Sequence, residues 1–134
     1  MPRLSEIDVK YRGGYRGSWI DINDLIQKEI PMDIVEFRMD ASQVKGCESY
    51  CRMQIKVGGK PYVTWHSSAI LAGYLEDCAN QQATEGVVNF PIEWVIIYTG
   101  DDGGYYLKDA GDAKVPTEAE LNRLIKRRKG GGRR

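Results

Sequence analysis

The residues from Cys47 to Val57 alternate between a mostly apolar set and a polar set, and this alternation constrains the fold more than any other feature of the chain. A period of two residues is the pattern of a β-strand with one buried and one exposed face. Gly58 and Gly59 follow directly, and adjacent glycines supply the positive φ angles of a tight hairpin turn. Strand-forming residues then resume over Lys60–His66. The sequence therefore predicts an antiparallel hairpin that contains a long central strand.

The rest of the chain predicts three more strands and three helices. Val35, Phe37 and Met39 alternate with charged residues, which indicates a half-buried strand before the long one. Either Ser67 or Ser68 can cap a helix of about fourteen residues, and Thr117 begins a capping-box pattern. For Asp21–Ile30 we predict a short helix, with an extended entry strand as the alternative. A strand over Met32–Asp40 and the central hairpin follow, and then a helix after Ser68 and a polar linker over 80–86. The last predicted elements are strands over Pro91–Tyr98 and Tyr105–Leu107 and a helix over Thr117–Lys129.

This order of elements predicts a mainly β fold, a five-stranded OB-like Greek-key barrel with a helix between strands 3 and 4. At 134 residues the chain has the size of one domain. Glycine, arginine and tyrosine near the start show neither helical nor strand periodicity. We predict a flexible basic arm over 1–18, the OB-like domain over 19–115, and a C-terminal helix with a disordered basic tail over 116–134.

Charge is distributed unevenly, although nineteen basic residues balance nineteen acidic ones. Residues 123–134 hold seven basic side chains and no acid, and residues 1–16 hold four basic and two acidic ones. Residues 17–122 carry eight basic and seventeen acidic side chains. The ends are therefore basic and the body is acidic, so a polyanion is expected to bind only at the ends or along a local basic stripe.

Location and redox state follow from what the sequence lacks. No apolar run approaches the roughly 18 residues of a membrane-spanning helix, and the first residues have no apolar signal core. We therefore expect a cytoplasmic protein with no membrane partner and with reduced thiols. Cys47, Cys51, Cys78 and the single histidine, His66, offer a three-thiolate, one-imidazole zinc set as an alternative. Their spacing matches no paired ligand knuckle, so we predict no cofactor.

Catalytic motifs are absent from the sequence. Gly58-Gly59-Lys60 lies between two strands and lacks the spacing of a phosphate-binding loop. No serine or cysteine sits in a nucleophile elbow, and a single histidine limits acid–base relays. The acidic pair at Asp101 and Asp102, followed by glycines, is typical of a solvated hairpin tip. We predict that the protein is not an enzyme.

The exposed face of the central hairpin offers a binding surface. If Cys51, Met53 and Ile55 face the core, the even-numbered side chains from Tyr50 to Lys56 face outward. Rings beside cations suit single-stranded nucleic acid, because bases stack on rings at roughly 1–3 kcal/mol each and phosphates pair with cations. A cross-strand pair of Tyr50 with Tyr62 that only stabilises the hairpin is the competing interpretation.

Four segments, together with the order of elements, resemble small phage-type OB-fold single-stranded DNA-binding proteins over residues 32–108. These segments are Glu36-Phe-Arg38, Tyr50-Cys-Arg-Met-Gln-Ile-Lys56, the Gly-Gly-Lys-Pro-Tyr hairpin, and Pro91-Ile-Glu-Trp-Val-Ile-Ile-Tyr98 before Tyr105-Tyr106. The resemblance implies that strands 2 and 3, with the loops joining strands 1 to 2 and 4 to 5, hold the nucleic acid. The residues that the strand pattern and the resemblance nominate are Arg38, Lys45, Tyr50, Arg52, Lys56, Lys60, Tyr62, Trp65, Tyr105 and Tyr106. Many of the proteins that the chain resembles end in an acidic partner-recruiting tip, whereas this chain ends Gly-Gly-Gly-Arg-Arg, so the resemblance does not extend to partner recruitment through the tail.

The functional hypothesis is binding of single-stranded DNA or RNA, with DNA favoured, in phage replication in the host cytoplasm. The alternative is a protein-interaction or virion-assembly module of a phage or mobile element. In that module the barrel binds a protein and the basic tail provides a docking segment. An exposed edge strand in a small barrel also allows a homodimer.

Overall fold

The structure is a computed structural model that describes residues 15–41 and 49–131. Most of the predicted basic arm, Lys45, Cys47 and the last three residues lie outside the described residues. Within them the fold is mainly β, as the alternation patterns predict, and it consists of one sheet and three helices. No helix among these residues is both long enough and apolar enough to cross a bilayer.

The sheet is mixed and has six strands. They are β1 (Ser18–Trp19), β2 (Met32–Ala41), β3 (Ser49–Val57), β4 (Lys60–His66), β5 (Ile92–Thr99) and β6 (Tyr105–Asp109). Their order is β1-β4-β3-β2-β5-β6, and every pair is antiparallel except β1 with β4. The described residues therefore form an open six-stranded sheet and not the predicted five-stranded closed barrel. Closure would require β4 to pair with β6, but the outer edge of β4 pairs with β1 instead.

The alternation in β3 is confirmed. Cys51, Met53, Ile55 and Val57 are all buried in the core, whereas the residues between them are half-buried or exposed. The turn that follows contains Gly58 and Gly59 with positive φ angles of 61° and 82°. The predicted hairpin of β3 and β4 thus forms as expected, because the local turn and the two-residue period agree.

The three helices are α1 (Ile22–Gln27), α2 (Ala69–Glu85) and α3 (Glu118–Gly131). Helix α2 lies between the third and fourth of the five longer strands, as predicted, and Ser68 caps it by accepting a hydrogen bond from the Leu71 N–H at 3.3 Å. The predicted linker over 80–86 is wrong, because α2 continues to Glu85. Its polar residues hold the next loop: the Gln82 side-chain oxygen accepts from the Asn89 N–H at 2.7 Å.

The capping box at the start of α3 gives a stability prediction. The Thr117 N–H donates to Glu120 Oε1 at 2.9 Å, and the Glu120 N–H donates to Thr117 Oγ1 at 3.2 Å. Replacing Thr117 by alanine is expected to lower the free energy of unfolding by about 1 kcal/mol, because one N–H of the first turn loses its acceptor. Urea denaturation measures this difference. Thr117→Ser keeps the hydroxyl and serves as the control; equal losses in both variants would contradict the capping role.

Candidate functional site

The face of the sheet opposite the core brings four of the predicted residues together. Arg38 of β2 is the register partner of Arg52 in β3, and Arg52 is the partner of Trp65 in β4. Tyr50 lies diagonally across from Trp65, and their ring centroids are 5.5 Å apart in an edge-on arrangement. The Nη2 group of Arg52 donates a hydrogen bond to the Tyr50 hydroxyl oxygen at 3.3 Å. We call Arg38, Tyr50, Arg52 and Trp65 the Trp65 patch.

The Trp65 patch offers an accessible ring beside two positive charges. Trp65 is 41% exposed and Arg38 is exposed, whereas Tyr50 and Arg52 are half-buried. The edge-on contact and the hydrogen bond restrict the conformations of Tyr50 and Arg52, so less side-chain entropy remains to be lost on binding. Chemically, the patch can stack a planar ring on Trp65 and pair anions with the guanidinium groups.

A segment that the sequence assigned to the flexible arm lies across this face. The Arg16 N–H donates to Gln54 Oε1 at 2.7 Å, and Gln54 Nε2 donates back to the Arg16 carbonyl at 2.9 Å. Gly17 has φ of 96°, and a Cβ there would lie 2.0 Å from the Pro61 carbonyl oxygen, so only glycine fits. Residues 15–18, which the sequence analysis placed in the arm, therefore contact the sheet through these hydrogen bonds and through the pairing of β1 with β4.

This crossing segment adds two aromatic residues that the sequence analysis did not nominate. Tyr15 is half-buried; burial and the nearby Glu36 raise the pKa of its phenol, while Arg38 and Arg52 oppose that rise. Trp19 is 42% exposed and is the register partner of Val63, so it lies on the same face as Trp65. In the sequence, only their position beside glycines and arginines could have indicated that Tyr15 and Trp19 belong to a binding surface.

Three predicted residues of the hairpin fall outside the Trp65 patch. Lys56 is exposed on the same face but lies beyond Gln54, where the Arg16 segment crosses. The Lys60 ammonium is paired with the Glu118 carboxylate at the start of α3. Tyr62 is only 5% exposed and belongs to the core cluster. Tyr62 therefore does not join the other nominated residues on the outer face, because its register partner is Ile55 and both face inward.

The competing interpretation of the hairpin tyrosines is also corrected. Tyr50 cannot pair with Tyr62, because the two rings lie on opposite faces of the sheet; Tyr50 contacts Trp65 instead. Burial raises the pKa of the Tyr62 phenol, in keeping with its place in the core.

The two predicted tyrosines of the second hairpin lie in β6, which β5 separates from β2 in the sheet, and neither belongs to the Trp65 patch. Tyr106 stacks on Tyr98 with 5.6 Å between centroids, and its hydroxyl donates to Asp102 Oδ2 at 2.6 Å. This hydrogen bond raises the pKa of Tyr106 and lowers the pKa of Asp102. Tyr105 is half-buried, packs against the core and lies 6.0 Å from the His66 ring. Lys45, the remaining nominated residue, lies outside the described residues.

The zinc set is not assembled within the described part of the chain. No group of three histidine, cysteine or acidic residues with metal-binding geometry occurs there, and Cys47 lies outside it. Cys51 is the register partner of His66 and is buried, while Cys78 is half-buried on α2. The Ser68 N–H donates to His66 Nδ1 at 3.0 Å, so that nitrogen already holds a hydrogen bond.

The fold and this surface define a class: a small, mainly β domain that presents a tryptophan beside two arginines on the outer face of its sheet. No family model, no curated protein and no solved structure matches the chain.

Proposed function

We propose that this protein binds single-stranded nucleic acid, with DNA favoured, and that it does so without catalysis through the Trp65 patch. The observation that carries the proposal is the exposed Trp65 ring placed in register with Arg52 and Arg38. A base can stack on the indole while the guanidinium groups bind the phosphates on either side. Trp19 and Tyr15 extend the same face and supply further rings.

The order of elements supports the same proposal. The five longer strands run β4-β3-β2-β5-β6 across the sheet, and α2 connects β4 to β5. We propose that this is an OB-type arrangement in which β1 occupies the edge of β4, and that the protein serves phage DNA replication in the host cytoplasm. In such a domain the face of the second and third strands is the binding face, which is where the Trp65 patch lies.

A fluorescence-anisotropy titration with labelled oligothymidine tests the proposal. At about 50 mM salt we expect a micromolar or lower Kd, and the affinity should fall steeply as salt rises, because phosphate contacts release counterions. No detectable binding at that salt concentration would exclude the proposed function. Repeating the titration with oligouridine compares DNA with RNA.

Arg38 gives a more specific prediction. For single strands the slope of log Kd against log salt changes by about 0.7 for each phosphate contact, so Arg38→Gln should reduce the slope by about that amount. The matched control is Lys114→Gln, because Lys114 is an exposed cation in the loop before α3, away from the patch. Equal slopes for both variants would remove Arg38 from the interface.

A second candidate function is a protein-interaction or assembly module, and one observation favours it. A groove of about 750 Å³ between the end of α1 and α3 is lined by three cations, Lys28, Lys114 and Arg123, by one acid, Glu120, and by apolar residues that include Ile30 and Leu124. Such a surface suits an acidic segment of a protein partner. Co-purification of a defined partner that resists nuclease, and that is lost in Arg123→Gln, would favour this function over the first.

A further inference from the structure

A second, smaller cavity lies at the end of β4, next to the Trp65 patch. It has a volume of about 280 Å³ and lies between the segment that leads into α1, the last residues of β4, and Tyr105 of β6. Two of the residues that line it, Thr64 and His66, are 0% and 1% exposed. Thr64 Oγ1 and His66 Nε2 have no hydrogen-bond partner among the described residues. Buried polar atoms are nearly always paired in native proteins, so two such atoms on residues that line one cavity indicate that a polar ligand can bind there.

The hydrogen-bonding character of His66 follows from its contacts. Nδ1 accepts from the Ser68 N–H at 3.0 Å, so Nδ1 carries the lone pair. Burial lowers the pKa of the ring to about 4, so the imidazole is neutral at pH 7. The single ring proton is therefore on Nε2, and this nitrogen is a donor that needs an acceptor. It has no lone pair for a metal ion in this state.

The other walls of the cavity restrict the ligand further. Among the described residues that line it, Asp21 is the one charged residue and no cation occurs, so a phosphate or carboxylate would meet repulsion without compensation. Tyr105 supplies an aromatic wall. Trp65 borders the cavity, but its ring lies on the outer face of the sheet, opposite the side chains of Thr64 and His66. At about 280 Å³ the cavity is at or below the smallest pockets that take drug-sized ligands, and it suits a single ring system.

We propose that this cavity binds one neutral nucleobase, whose carbonyl oxygen or ring nitrogen accepts a hydrogen bond from His66 Nε2 while the Thr64 hydroxyl bonds a second polar atom of the base. Enzymes that read an unstacked base combine hydrogen bonds to the edge of the base with contact to aromatic or apolar side chains, and the cavity offers Tyr105 for that contact. The inference rests on the proposed function, since the base comes from a strand held at the Trp65 patch, and Trp65 borders both sites.

The test uses the only histidine of the chain as a reporter. The full-length protein is labelled with ¹⁵N in its imidazole ring and titrated with free adenosine, cytidine, guanosine and thymidine, which carry no phosphate. We expect at least one nucleoside to shift the Nε2 resonance with saturation at millimolar concentrations. Thr64→Val should weaken that binding by about fivefold, because one neutral hydrogen bond is lost, whereas Thr64→Ser should retain it. Absence of a shift with all four nucleosides, or equal affinity in Thr64→Val, would overturn the proposal.

Parallel titration with oligothymidine separates this inference from the proposed function. If the oligonucleotide binds but no nucleoside shifts His66, the cavity proposal fails alone. If a nucleoside binds in the cavity but the oligonucleotide does not bind, the cavity proposal stands and strand binding fails.

Discussion

Replacing Trp65 by alanine is expected to weaken oligothymidine binding by about one to two orders of magnitude while the fold persists. The loss corresponds to removing one base–ring stack, which contributes roughly 1–3 kcal/mol. Trp65 is 41% exposed on the outer face, so its removal opens no cavity in the core. The Tyr50 ring also loses its edge-on neighbour at 5.5 Å, which frees Tyr50 and the Arg52 guanidinium that bonds to it. Anisotropy of a labelled oligonucleotide at about 50 mM salt measures the loss without relying on tryptophan fluorescence.

Tyr74→Ala is the matched control for this substitution. Tyr74 is an aromatic residue that is 51% exposed on α2, outside the Trp65 patch. We expect its removal to change the affinity by less than about twofold, because surface substitutions away from a binding site have small effects. Trp65→Phe keeps a ring and should retain most of the affinity. If Trp65→Ala and Tyr74→Ala bind equally well, Trp65 does not stack a base.

Lowering the pH from 7 towards 4 is expected to reduce the free energy of unfolding by roughly 3 kcal/mol through His66 alone. Burial lowers the pKa of His66 from its ordinary value of 6.5 to about 4. The unfolded chain therefore takes up a proton at a higher pH than the folded chain does. The stability from the neutral buried ring is complete above pH 6.5 and is lost as the pH falls towards 4. Each unit of difference between the two pKa values corresponds to about 1.4 kcal/mol.

Urea denaturation at pH 7.5, 5.5 and 4.5 measures this dependence. In His66→Gln the decline over this range should shrink, because no histidine then titrates. The carboxyls of Asp102 and Glu120 have lowered pKa values, so the stability from their hydrogen bonds is present above their ordinary pKa values of 3.8 and 4.5 and is lost as the pH falls below them. This loss occurs equally in His66→Gln, so the difference between the two proteins reports His66. Equal free energies of unfolding for the unmodified protein at pH 7.5 and pH 4.5 would contradict the burial of a neutral His66.

Local signals predicted the elements well where each signal concerns neighbours in the chain. The two-residue period of β3, the turn at Gly58 and Gly59, and the caps at Ser68 and Thr117 all appear in the structure. Each depends on contacts within a few residues, where backbone geometry and side-chain chemistry alone decide the outcome. The end of α2 was predicted less well, because its polar residues bind the following loop instead of forming a linker.

The candidate surface was predicted only in part, and hairpin register explains the difference. Tyr62 and Trp65 are an odd number of positions apart in one strand, so they face opposite sides of the sheet and only one can join the patch. Register pairs Tyr62 with the buried Ile55 and Trp65 with the outward Arg52. The contribution of Trp19 and Tyr15 depends on a contact between Arg16 and Gln54, 38 positions apart. No local pattern encodes such a contact.

The sequence by itself determined the mainly β fold, the central hairpin, the helix between the third and fourth longer strands, and the caps that begin α2 and α3. Only the tertiary structure decided that β1 pairs with the edge of β4, that four residues of the outer face form the Trp65 patch, and that Thr64 and His66 meet at one cavity. The physical reason is range: periodicity and caps act between neighbours, whereas strand order, register and cavities depend on the packing of distant segments against one another.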